Sequence, residues 1–206
     1  MKQLLIITGP QGSGNHLWSK VFAESPVAYG WDGLKDTYWI PHDREPFAAA
    51  WNDPSKLASI EFEQSYAVTS ISCPYAYQGQ TVEPDYEKFI SKAEELGYNV
   101  KMAIIGRDQN VLQHQQERVR RVRSIERFNH HMPYLCSRGP VFLSTELLYL
   151  YKGNYLKSLE RTLGFPVFVR DEKLDEILKQ DPNAKYFHPA EPQDLDRYVR
   201  HVSGIK

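Results

Sequence analysis

Cysteine is nearly absent, with only Cys73 and Cys136 in 206 residues. Two thiols cannot build a disulfide scaffold, and their spacing fits no zinc-binding pattern. An excess of one charge is also missing, since 25 Lys and Arg stand against 26 Asp and Glu. That balance removes any general electrostatic argument for a nucleic-acid or membrane-surface protein and leaves such roles to local clusters. Long hydrophobic runs are lacking too. The longest early one, Leu4 to Ile7, is far too short for a spanning helix or a signal-peptide core. The expectation is a soluble, cytoplasmic protein made in a reducing compartment, with no membrane or nucleic-acid partner.

What is present is ordinary globular material. Hydrophobic residues make up 41% and charged residues 25%, so a packed core is expected rather than disorder. No repeat, low-complexity tract or linker divides the chain, and one domain over residues 1–206 is the economical reading. Leu4 to Thr8 is a continuous apolar run of the kind found in a parallel strand buried on both faces. Tyr66 to Cys73, Val100 to Ile105 and Val141 to Leu143 read as further strands. Helices are predicted after Gly14, after Pro84-Asp85 with Tyr86, Phe89, Ile90, Ala93 and Leu96 inward, and from Asp108. Two more carry Leu156, Leu159 and Leu163, and Leu195, Tyr198, Val199 and Val202. Strands alternating with helices predict an α/β fold whose central, mainly parallel sheet is covered by helices on both faces.

Gly9-Pro10-Gln11-Gly12-Ser13-Gly14-Asn15 is placed outside both flanking elements, between the first strand and the first helix. A glycine-rich turn of this kind leaves backbone amides converging where the helix dipole is positive, which suits an anion. Gly9 and Gly14 have the separation of a nucleotide-phosphate loop. The two residues after Gly14 are Asn15 and His16, where a triphosphate hydrolase needs a lysine and a hydroxyl residue for magnesium. A tight strand–helix turn without a ligand is the bland alternative.

Gly9 to Trp18 resembles the 5′-phosphosulfate loop of sulfotransferases. Met102 to Ile105 followed by Gly106-Arg107-Asp108 is similar to that family's strand and Arg-Asn/Asp-Pro turn. Phe142-Leu143-Ser144-Thr145-Glu146-Leu147-Leu148, running on to Leu163-Gly164-Phe165-Pro166, is similar to its late strand, acidic turn and Leu-Gly-Leu-Pro ending. The resemblance implies a three-layer P-loop NTPase-like fold and metal-free transfer of a sulfuryl group from 3′-phosphoadenosine 5′-phosphosulfate to a hydroxyl or amine of a small-molecule or carbohydrate acceptor. It implies that Gly9, Gln11, Gly12, Ser13, Gly14, Asn15 and His16 hold the phosphosulfate, and that Arg107, with His114 or Gln115, holds the 3′-phosphate. The family's loop Lys/Arg is here Gly12, the Pro after Arg107-Asp108 is Gln109, and Ser72 stands where one branch has a basic His.

For the catalytic base the candidates are His42, whose unperturbed pKa of about 6.5 lies in the working range, and Glu45. The aromatic stretch 31–51 and the segment 128–140 are expected to wall the acceptor pocket. Arg118, Arg120, Arg121, Arg123 and Arg127 form either a solvated helix face or a surface that attracts anions. Two other classes stay open: a P-loop nucleotide kinase or hydrolase with a substitute for the loop lysine, and a non-catalytic, degenerate P-loop binding module.

Overall fold

The structure is a computed structural model that describes residues 2–37, 39–108, 112, 116 and 124–181. Five parallel strands make the main sheet: β1 (Gln3–Pro10), β2 (Ala28–Tyr29), β3 (Tyr66–Cys73), β6 (Asn99–Gly106) and β7 (Val141–Ser144). Their spatial order is β2-β3-β1-β6-β7, and all four pairings are parallel. A small antiparallel hairpin, β4 (Tyr75–Tyr77) and β5 (Gln80–Val82), follows β3.

Among the described residues the helices with defined bounds are α1 (Asn15–Ala23), α2 (Ala48–Asn52), α3 (Tyr86–Glu95), α4 (Ile125–Ser137), α5 (Thr145–Leu163) and α6 (Asp171–Gln180). Alternate residues of a strand face opposite sides, and β1 feeds two cores in this way. Leu5 and Ile7 pack with Leu17, Trp18, Val21 and Phe22 of α1 and with the leucines of α5 and α6. Leu4 and Ile6 pack with Trp51 of α2, Phe89 and Ile90 of α3 and Phe128 and Leu135 of α4. The arrangement is three-layered, helices on both faces of a parallel sheet, as the alternating pattern predicts. Among the described residues no helix is long and apolar enough to cross a membrane.

Several local expectations are corrected. Gly9 and Pro10 do not lie outside the strand; they extend β1 and pair with Ser72 and Cys73. His42 stands in a single 3-10 turn over residues 42–44, opened by Pro41, well past the end of β2 at Tyr29. Leu96 is not an inward residue of α3. It follows the last turn and is 39% exposed, with Gly97 at positive φ ending the helix behind it. Part of the segment expected to wall a pocket, 128–140, is the body of α4, where Phe128 and Leu135 are core. The helix of Leu156 and Leu163 begins earlier, at Thr145 capped by Ser144, and is broken at Lys152, whose backbone is left-handed at φ 44°.

Candidate functional site

In this strand order the chain leaves β1 toward β2 and leaves β6 toward β7, on the opposite side. Ligands of open α/β sheets bind at the carboxyl ends of the strands where such a reversal opens a crevice. The glycine-rich loop and Arg107 therefore both emerge at the place this topology reserves for a ligand.

Packing dictates the loop's glycines. A Cβ on Gly9 would lie 2.5 Å from Oγ of Ser13 and 3.3 Å from Cβ of Ile105, so the loop folds back onto a bare backbone. Gly12 and Gly14 have φ of 85° and 116°, a region that L side chains rarely enter. The Ser13 amide donates to the Pro10 carbonyl at 3.1 Å, and the Trp18 amide to Gly14 at 3.0 Å opens α1. Gly14 is the cap residue and brings no side chain to the first-turn amides of α1.

Two anchors hold the loop from outside. Nη1 of Arg107 donates to the Gly12 carbonyl at 2.7 Å. Nε2 of Gln116 donates to the Gln11 carbonyl at 2.6 Å and to Oγ of Ser124 at 2.7 Å, while Ser124 Oγ accepts from the Gln11 amide at 3.0 Å. The Ser124 amide in turn donates to Oε1 of Gln116 at 2.9 Å. His114 and Gln115 lie outside the described residues, as do Gln109, Arg118, Arg120, Arg121, Arg123 and the segment from Leu195 to Val202. The neighbour Gln116 is the side chain seen at the loop, and Ser124 joins it there.

Three buried polar atoms at the loop have no hydrogen-bond partner among the described residues: Ser13 Oγ, Asn15 Oδ1 and Thr145 Oγ1. Thr145 opens α5, and its hydroxyl lies 3.8 Å from where a Gly14 Cβ would stand. A buried hydroxyl left unpaired costs about 1–3 kcal/mol. Such groups beside amides at a helix start are what an oxyanion would satisfy. Thr145 could have been noticed, because Ser144-Thr145-Glu146 follows a predicted strand. The neighbouring Glu146 ties the exits of β6 and β7, accepting from the Asp108 amide at 3.3 Å and from Oγ of Ser144 at 3.0 Å.

His16 stands in the first turn of α1, but its ring engages the aromatic stretch. Its Nε2 is 2.9 Å from the Ile40 carbonyl, and its ring lies 5.1 Å from Trp31 and 6.1 Å from Trp39. From that stretch Trp31 and Trp51 are core, whereas Trp39 is 58% exposed.

His42 and Glu45 sit beside Thr69 and Ser70 of β3, just past Ala67, where the pairing of β2 with that strand stops. Burial drives the pKa of His42 down to about 4, helped by the nearby His16 and opposed by the Ser70 backbone. Its ring packs against Trp31 and Tyr75, and neither ring nitrogen has a hydrogen-bond partner of ordinary geometry among the described residues. Burial drives Glu45 the other way, up to about 8, against the lowering effect of Thr69 and of the Phe47 and Ser70 backbone. Its Oε2 accepts from the Phe47 amide at 2.7 Å. At neutral pH the imidazole is therefore unprotonated and the carboxyl group is mostly the uncharged acid. Ser72, half-buried, pairs with Gly9 in β3.

The structure thus gathers Gly9 to Asn15 and Arg107 at the carboxyl ends of β1 and β6, and sets His42 and Glu45 beside Thr69 and Ser70 of β3, with His16 near His42. No protein-family model matches the chain and no curated protein matches it either, so the functional reading rests on this geometry and on the resemblance of the motifs.

Proposed function

We propose that the chain is a P-loop-like nucleotide-binding enzyme that transfers a sulfuryl group from 3′-phosphoadenosine 5′-phosphosulfate to a hydroxyl or amine of a small-molecule or carbohydrate acceptor. The observation that carries the reading is the bond from Arg107 to the Gly12 carbonyl, which brings the second motif of the resemblance onto the first. The unpartnered hydroxyls of Ser13 and Thr145 support a fit to a phosphate-like oxyanion at the same place.

In this reading the amides of Gly12 to Asn15 and the Ser13 hydroxyl hold the donor's anionic end, and Arg107 adds a permanent positive charge. The donor supplies an activated sulfuryl group. Its sulfur–oxygen bond breaks with the electron pair passing to the phosphate oxygen, as the acceptor atom bonds to sulfur and gives up its proton. His42 has the unprotonated form that a base for that proton requires, whereas Glu45 is held as the acid. With Asn15 and His16 in place of lysine and a hydroxyl residue, the loop is less suited to magnesium-bound triphosphate.

A second reading, nucleotide binding without transfer, is favoured by one observation: both ring nitrogens of His42 and Oε1 of Glu45 are sealed from solvent.

The test is thermal unfolding with 3′,5′-ADP, and with ATP plus magnesium in parallel. A ligand at one hundred times its Kd adds about 2.7 kcal/mol to apparent stability, or roughly 5–10 °C for a chain of this size. Such a rise with 3′,5′-ADP is expected. A rise only with ATP and magnesium would move the assignment to a kinase or hydrolase. Binding of 3′,5′-ADP with no sulfuryl transfer to water, phenols, amines or sugars would favour the second reading.

A further inference from the structure

Within the sulfotransferase reading, on which this rests, we infer that Arg107 is the cation of the glycine-rich loop itself, binding the 5′-phosphate end of the donor and not its 3′-phosphate. The loop has no positive charge of its own. No Lys or Arg occurs from Gln3 to Ser19, and the position that carries one in the resembling family is Gly12. The first lysine after the loop, Lys20, lies in the last turn of α1. Five residues of helix carry it about 7.5 Å along the axis from Asn15, and its Nζ donates to Oε1 of Gln180 on α6 at 2.9 Å. It is occupied at the far end of the helix.

The sheet supplies the missing charge from the next strand. Thr8 of β1 is in register with Ile104 of β6, so the residues that leave the two strands emerge side by side. Arg107 is the first residue after Gly106, the last of β6. Nη1 of its guanidinium is pinned to the Gly12 carbonyl at 2.7 Å. A planar guanidinium presents its donors within a few ångströms of one another. Anchored on Gly12, it lies beside whatever the amides of Gly12 to Asn15 hold. A 3′-phosphate stands a ribose away from that point.

Gly12 fits this arrangement. Its φ of 85° lies in the region that favours glycine, and its carbonyl is the group that Arg107 holds. The loop's lost cation and the position of Arg107 are then two sides of one exchange. In transfer, the guanidinium would neutralise the charge that the breaking sulfur–oxygen bond leaves on the 5′-phosphate oxygen.

The experiment measures Kd for adenosine 5′-monophosphate, which has only the 5′-phosphate, and for 3′,5′-ADP, in the wild type, Arg107→Ala and Arg107→Lys. The expected result is an equal loss for both ligands in the alanine variant, about 10- to 100-fold, with much of it restored by lysine. A loss confined to 3′,5′-ADP would overturn the inference while leaving the donor-binding reading standing. Equal losses in the alanine and lysine variants would show that the residue only pins the loop, and would also overturn it. If the wild type binds neither nucleotide, the donor-binding reading falls and the inference with it. Should the alanine variant fail to fold, the comparison of the two ligands in Arg107→Lys decides: a small, equal loss supports the assignment, and a loss for 3′,5′-ADP alone rejects it.

Discussion

The hydroxyls of Ser19 and Ser70 lie 2.6 Å apart, hydrogen-bonded across the buried seam between α1 and β3, and the Ser19 oxygen is also 2.7 Å from the Asn15 carbonyl. This pair fixes the first turn of α1, and with it the exit of the loop, to the central part of the sheet. Ser19→Ala leaves the Ser70 hydroxyl buried without that partner. The expected cost is about 1–3 kcal/mol, read as a lower midpoint in urea with unchanged slope. The double variant with Ser70→Ala should lose less than the sum of the two singles, because the second change removes the orphan that the first creates.

The opposite shifts of Glu45 and His42 give stability a definite pH profile. Glu45 binds a proton more tightly folded than unfolded, so its contribution is full below about pH 4.5 and is lost as pH rises to about 8. His42 binds a proton less tightly when folded, so its contribution is full above about pH 6.5 and is lost as pH falls toward 4. The two slopes oppose each other between about 4.5 and 6.5. Above that window Glu45 acts alone, and stability should decline from pH 6.5 to 8.5. Denaturant titrations of Glu45→Gln should show that decline flattened, with little change at pH 6; an unchanged slope would mean that Glu45 is already ionised at neutral pH.

The glycines of the loop separate crowding from backbone strain. Gly9→Ala puts a Cβ against Ser13 and Ile105, an overpacking expected to cost about 1–3 kcal/mol. Gly14→Ala meets nothing closer than 3.8 Å, so its expected cost of about 1–2 kcal/mol comes from φ alone. Differential scanning calorimetry of the two variants, with and without 3′,5′-ADP, checks both. Gly9→Ala should also weaken the nucleotide, because it displaces Ser13 within the loop.

Cys73 is fully buried with its thiol pushed up to about 12, mainly by burial, and Cys136 is exposed. A thiol reagent at pH 8 should therefore modify one cysteine rapidly in the native protein and two after unfolding. Mass spectrometry of the singly modified chain should place the label on Cys136.

Much of this sheet was legible because its inner strands are continuous apolar runs. Leu4 to Ile7 and Met102 to Ile105 are buried on both faces and carry no competing signal. β2 has only two residues, too few for any periodicity. The β4–β5 hairpin is carried by exposed polar residues around Gln78 and Gly79, and Pro133 inside α4 masks a helical pattern that Phe128 and Leu135 would otherwise show. At the site, the loop and Arg107 were readable from residue type and order. The parts that were not, Gln116 and Ser124, reach the loop from a segment that only the tertiary fold brings near. The same holds for the charge states of His42 and Glu45, since burial beside β3 leaves no trace in local sequence.

The position of β1 has a further consequence for how the chain comes together. It is the middle strand of the sheet, yet it pairs with segments that begin at Tyr66 and Asn99, far along the chain from Gln3. During synthesis it must wait for both neighbours to leave the ribosome before either of its edges is covered. Parallel pairings of such long range close slowly and leave apolar strands exposed meanwhile. Sheet assembly is thus set late, by the emergence of β3 and β6. A nascent chain arrested before Asn99 would have its most hydrophobic strand half-covered, a species for chaperones to bind.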